Sequence, residues 1–229
     1  MIEVIKVVDR VSGNDRAHEI LKGLVDSQTL LVLSGGTSPD YRRMIVEPGD
    51  AIPGAVCLGD ERFGMPFHDD SNELLIKNAG LIDFFQVKDI KFYKILSGAD
   101  LQTTAREYNQ TVLSLFAQFP KMIGVMGVGP NLHTAGIFPQ SNAVKSSDLV
   151  VAETVEDRFP NRITLTIRAL EQFSFFIILM FGIEKEEAVK KMVDENINDI
   201  QNSPAIFYRK SPIKSYLITD QEIDLTTDN

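Results

Sequence analysis

Three glycine-bearing segments hold the residues best suited to chemistry. The first in importance is GVGPNLHTAGIFP, Gly127 to Pro139, which carries His133. Imidazole titrates near neutrality, so His133 can take or give a proton at physiological pH. It falls in a loop and not on an apolar helix face, which favours a chemical role over a packed one. His18 lies in a polar helical stretch and His68 in a loop beside two aspartates, so both read as surface residues.

The second segment is SGGTSP, Ser34 to Pro39. Gly35 and Gly36 let the backbone turn sharply and approach a ligand closely. Thr37 and Ser38 add hydroxyl donors, and a helix beginning just beyond adds free N–H groups, which together suit a phosphate. A plain strand-to-helix turn with its cap fits the same six residues equally well. The segment is neither a Walker loop nor a GxGxxG fingerprint.

The third is GDERFGMP, Gly59 to Pro66, in which Asp60, Glu61 and Arg62 leave a strand end together. Taken alone it reads as a solvated acid–base cluster. Its place at a strand end, with Ser71 and Asn72 heading the next helix, opens it to ligand contact. Arg162 and Lys185 are two more cations able to meet a phosphate, although each by itself also suits the surface.

The elements that must position these loops follow from hydrophobic spacing. TLLVL (29–33), AVCL (55–58), MIGVM (122–126), LVVAET (149–154), RITLTI (162–167), FFIILMF (175–181) and SYLI (215–218) are short runs rich in β-formers, and they predict strands. Between them, Leu101, Ala105, Tyr108, Val112, Leu115, Phe116 and Phe119 recur at helical spacing and predict a helix over 101–119. Ser38 as cap with Pro39 after it predicts a second helix start. A third helix is capped by Ser71 and ends at Gly80, and a fourth covers about 184–193. Strand–helix alternation predicts an α/β fold: three layers, with an open, mostly parallel sheet and helices on both faces. Ligands of such sheets bind beyond the carboxyl ends of the strands, where the three loops would converge.

Composition narrows the class. A chain of 229 residues, 44% hydrophobic and 24% charged, reads as one globular domain spanning 1–229. A formal net charge of -9 without a basic cluster argues against nucleic acid as a partner. Cys57 is the sole cysteine and reads as a buried core thiol, and three histidines without companion cysteines give no zinc spacing. The apolar run FSFFIILMFGI is too short to span a membrane, and the charged N-terminal stretch does not suit a signal peptide, so the cytoplasm is expected. The polar tail TDQEIDLTTDN is expected to fray.

Taken in order, SGGTSP, DERF with Ser71-Asn72 downstream, GVGPNLHTAGIFP, RITLTIRAL and GIEK resemble the corresponding segments of 6-phosphogluconolactonases, over about 30–218. Glucosamine-6-phosphate deaminases are more distant relatives of the same plan. The resemblance implies a three-layer α/β fold, a phosphorylated sugar lactone as small-molecule partner, and no metal or organic cofactor. It implies that Gly35, Gly36 and Thr37, with Ser38, hold the phosphate, that Asp60 and Arg62 face the substrate, and that Arg162 and Lys185 add positive charge near the phosphate. His133 would be the base that activates water against 6-phosphoglucono-δ-lactone, as in the pentose phosphate pathway, in an enzyme that could be oligomeric.

Two departures matter. The family loop reads Asp-Gly-His, whereas this chain reads Asn131-Leu132-His133. Asn131 can still accept a hydrogen bond from the catalytic ring but brings no negative charge, and Leu132 replaces a glycine whose conformation leucine finds strained. Deaminases usually carry a glutamate where this chain has Phe138. A deaminase-like enzyme, and a sugar-phosphate binder without turnover, are the alternatives to the lactonase.

Overall fold

The strongest apolar runs form the middle of the sheet. The computed structural model describes residues 2–223. Its strands and helices are β1 (Ile2–Lys6), α1 (Arg10–Leu24), β2 (Thr29–Leu33), β3 (Ala55–Leu58), β4 (Asp60–Arg62), α2 (Asn72–Asn78), α3 (Leu81–Val87), β5 (Lys91–Tyr93), α4 (Leu101–Gln118), β6 (Lys121–Gly127), β7 (Val150–Thr154), β8 (Asn161–Leu165), α5 (Ile167–Leu170), β9 (Phe175–Met180), α6 (Glu186–Val193), α7 (Phe207–Lys210) and β10 (Lys214–Thr219). Seven strands pair in the order β1-β10-β9-β6-β2-β3-β5, every pair parallel. Every residue of β2 and of β9 is buried, as strands covered by helices on both faces require. This is the α/β class expected. Cys57 is buried in β3, and burial pushes its thiol up to about 12.

A second sheet, β4-β8-β7, is antiparallel and was not anticipated. Only residues 155–160 separate β7 from β8. A parallel crossover needs a dozen residues or more, so the two strands can pair only as a hairpin. β8 also stops at Leu165, short of the expected Ile167. The Thr166 hydroxyl accepts the Ala169 N–H at 3.2 Å and caps α5.

The helix expected at Ser38 begins later. The Arg10 guanidinium donates to the carbonyls of Ser38 and Pro39, at 3.1 Å each, and Asn14 Nδ2 donates to Ser38 at 3.1 Å. These bonds hold 38–39 as loop, and a single wide turn, Arg42–Val46, follows. Ser71 caps α2 as expected, accepting the Leu74 N–H at 3.1 Å, and Gly80 takes a left-handed φ of 81°. The chain then re-enters helix at once, as α3.

His18 is a structural histidine and not a surface one. It is buried; its Nδ1–H donates to the Met44 carbonyl at 2.8 Å, and Nε2 lies 3.2 Å from Asp50. His68 is half-buried, and its Nε2–H donates to the Arg62 carbonyl at 2.8 Å. Within the polar tail, residues 224–229 lie outside the described residues. Among the described residues no helix is long and apolar enough to cross a membrane.

Candidate active site

β9, β6, β2 and β3 are neighbours in the sheet, so the loops leaving their carboxyl ends meet. They enclose a cleft of about 330 Å³. Gly35, Gly36, Thr37, Ser38, Asp60, Arg62, His133, Arg162 and Lys185 all line it. Asn131 is not among the lining residues and meets the ring of His133.

The 34–38 loop is fixed from several sides. The Ser34 hydroxyl accepts the Gly127 N–H at 3.0 Å, tying the ends of β2 and β6 together, and the Tyr41 hydroxyl donates to the Ser34 carbonyl. Gly35 lies so close to Asn72 that a Cβ would stand 1.8 Å from Asn72 Oδ1. Gly36 has a φ of 99°, a conformation open to glycine. The N–H groups of Gly36, Thr37 and Ser38 donate to no protein acceptor among the described residues. These free donors come from the loop itself, because the helix start lies farther along the chain than expected.

The Asp60-Glu61-Arg62 segment is not a solvated cluster. Asp60 is 4% exposed and Glu61 0%. The Glu61 carboxyl accepts the N–H groups of Arg62 and Asn72, both at 2.7 Å, and of Glu73 at 2.8 Å. Glu61 thereby anchors the start of α2; burial pushes its carboxyl up to about 8 against those three donors. Burial also raises Asp60, opposed by Arg62 and Arg162.

Arg62 and Arg162 stand directly opposite each other on β4 and β8, a pairing of like charges. Two acids and a ring offset it. Arg162 is 4% exposed, donates to the Phe159 carbonyl at 2.7 Å, pairs with Asp157, and lies 3.9 Å from Asp60. The guanidiniums of Arg62, Arg158 and Arg162 lie 5.4, 4.9 and 5.9 Å from the centre of the Phe159 ring. Asp157, Arg158 and Phe159 line the cleft and were missed in the sequence. Their signal was the short turn EDRFP between two strands, which brings them beside Arg162.

On the third loop, the His133 carbonyl accepts the Gly129 N–H at 2.9 Å, and the ring packs over Gly129. Leu132 has a left-handed φ of 62°, a conformation that strains a leucine. Asn131 Oδ1 accepts the His133 backbone N–H at 3.2 Å and also meets His133 Nδ1 at 2.6 Å. A backbone N–H can only donate, so this Asn131 atom is an acceptor, and Nδ1 must carry the ring proton. Nε2 then holds the lone pair. Lys185 Nζ donates to the Val128 carbonyl at 2.8 Å, and burial lowers its ammonium. Burial, then Arg162 and Lys185, hold His133 down to about 4, so the ring is neutral at pH 7 and its Nε2 can accept a proton.

Fold and site define an α/β protein with a cation-lined cleft at the carboxyl ends of its central strands. Residues 14–214 match the family described as glucosamine-6-phosphate isomerases/6-phosphogluconolactonase, and the chain belongs to it. It is similar to a 6-phosphogluconolactonase of Nostoc sp., 29% identical over 181 residues, 74% of this chain and 73% of that protein. It is similar also to a glucosamine-6-phosphate deaminase of Streptococcus pyogenes serotype M1, 25% identical over 209 residues, 84% of this chain and 86% of that one. The solved 6-phosphogluconolactonase from Plasmodium vivax shares the fold at a TM-score of 0.79 and 16% identity, over 97% of this chain and 92% of that chain.

Proposed function

We propose that this protein hydrolyses 6-phosphoglucono-δ-lactone to 6-phosphogluconate. One observation carries the reading: a neutral His133, with its proton fixed on Nδ1 by Asn131, lines the same cleft as the free donors of the 36–38 loop and Arg62, Arg158, Arg162 and Lys185. That is a base beside an anion site. The loop, with Arg158, Arg162 and Lys185, holds the phosphate and so orients the lactone. His133 Nε2 takes a proton from water while the water oxygen bonds to the carbonyl carbon. Arg62 stabilises the negative oxygen of the tetrahedral intermediate. The bond from that carbon to the ring oxygen then breaks, and the ring oxygen receives the proton from the imidazolium. One water is added, and no other co-reactant is consumed.

Phe138 takes the place of the deaminases' glutamate and packs its ring against His133, which disfavours amino-sugar chemistry. The test is hydrolysis of the phosphorylated lactone above its spontaneous rate, by the native chain and by His133→Ala. The expected loss in kcat is about 100- to 10,000-fold. Native activity no faster than the spontaneous rate, or an unchanged rate in the variant, overturns the proposal. Binding of 6-phosphogluconate without turnover would point to a binder.

A further inference from the structure

Positive charge around His133 is poorly balanced. Arg62 on β4, Arg162 on β8 and Lys185 after β9 all act against protonation of the ring. Asp157, from the β7–β8 turn, opposes them but is itself paired with Arg162. Asp60 on β4 lines the cleft 3.9 Å from Arg162, and Arg158 adds another cation to the wall. On the histidine's own loop, Asn131 accepts the Nδ1 proton without bringing a charge. An imidazolium formed during turnover therefore sits among like charges, with no carboxylate bonded to its ring among the described residues.

Arg158, Arg162 and Lys185, with the N–H groups of Gly36, Thr37 and Ser38, form a place for an anion. A phosphate dianion there brings about two negative charges into the field that disfavours the imidazolium. We infer that the substrate's own phosphate supplies the counter-charge that Asn131 withholds from His133, so that the dianion assists proton transfer as well as anchoring the sugar. The kinetic half of this inference rests on the lactonase reading, whereas the electrostatic half does not. It makes phosphate recognition a matter of kcat as well as KM, because an unphosphorylated lactone leaves the base unassisted.

Two measurements test it. The first is an NMR titration of the His133 ring with and without saturating sulfate, which stays a dianion throughout. The midpoint should rise by about one to three pH units with sulfate. In Asn131→Asp the midpoint should already be raised, and sulfate should move it less. The second is turnover of δ-gluconolactone with and without phosphite dianion. Phosphite should raise kcat roughly tenfold or more in the native chain and less in Asn131→Asp. Sulfate that fails to bind, or that binds without moving the midpoint, overturns the inference, as does lactone turnover with no phosphite activation. If sulfate moves the midpoint but the phosphorylated lactone is not hydrolysed, the lactonase reading falls and the charge coupling stands.

Discussion

The ring of Phe138 lies flat against the imidazole of His133, with centroids 4.3 Å apart and planes 10° from parallel. The Arg162 guanidinium lies 5.4 Å from the centre of the same phenyl ring. Phe138 is buried, so it excludes water from one face of the imidazole without offering it a negative charge. Burial, to which that contact contributes, and then Arg162 and Lys185 hold the histidine down to about 4, although Asp157 acts the other way.

Phe138→Glu should therefore change the base before it changes the pocket. A carboxylate against the imidazole favours its charged form, and the acid limb of the kcat/KM profile should move up by about one to three pH units. Phe138→Leu keeps an apolar side chain there and should leave that limb near its native position. Coincident profiles for native chain and glutamate variant would show that Phe138 does not set the state of His133.

The depressed histidine also makes a prediction about stability. The unfolded chain takes up a proton at His133 near the ordinary value of 6.5, while the folded chain resists until about 4. Within that window the unfolded state binds more protons, so this group's contribution to stability falls as pH falls from about 6.5 to about 4. Glu61, pushed up to about 8, acts with the opposite slope, losing stability as pH rises through its own window. The difference between native chain and His133→Gln isolates the histidine. In urea unfolding, the native chain should lose stability relative to the variant between about pH 6.5 and pH 4. A difference that stays constant across the window would mean that the ring titrates normally.

Much of this arrangement was legible in the chain. β2, β3, β6, β9 and β10 are runs of apolar residues ended by glycine or polar residues, and a parallel sheet buried on both faces demands that pattern. The loops were legible because glycine, hydroxyl and histidine followed those strands directly. What escaped depended on distant partners. Glu61 reads as a surface acid until the N–H groups at the start of α2 arrive to meet it. Ser38 reads as a helix cap until Arg10 and Asn14 take its carbonyl. His18 reads as exposed until Met44 and Asp50 fold over it. Arg158 and Phe159 carry no strand or helix pattern of their own, and only the antiparallel pairing of β7 with β8 brings their turn to the cleft.

Gly35 should tolerate no side chain while Asn72 is present. A Cβ would stand 1.8 Å from Asn72 Oδ1, and Asn72 is held in place by its bond to the Asp60 carbonyl at 2.8 Å. Gly35→Ala should cost about 1–3 kcal/mol through overpacking, and it should raise KM by displacing the loop. Asn72→Ala opens the space at the cost of that bond. In a double-mutant cycle the two substitutions should couple by about 0.5–3 kcal/mol, the double variant being more stable than the sum of the singles predicts. Strict additivity would show that the collision is relieved elsewhere.

Leu132 poses the sharpest contest between backbone and packing. Its left-handed φ of 62° costs a leucine about 1–2 kcal/mol. Yet its side chain is only 3% exposed, and its carbonyl accepts the Ala205 N–H at 2.9 Å. Loss of a buried leucine costs about 2–5 kcal/mol, which exceeds the strain. Leu132→Gly should thus be net destabilising even though glycine is the residue best suited to that conformation. Leu132→Ala should be worse still, since it loses the packing and keeps the strain. Because His133 follows directly, the glycine variant should lose kcat more than it gains KM, as the base wanders while the phosphate loop stays fixed. Chemical denaturation of the two variants decides the matter: a glycine variant as stable as the native chain would mean that the strain, and not the packing, governs this turn.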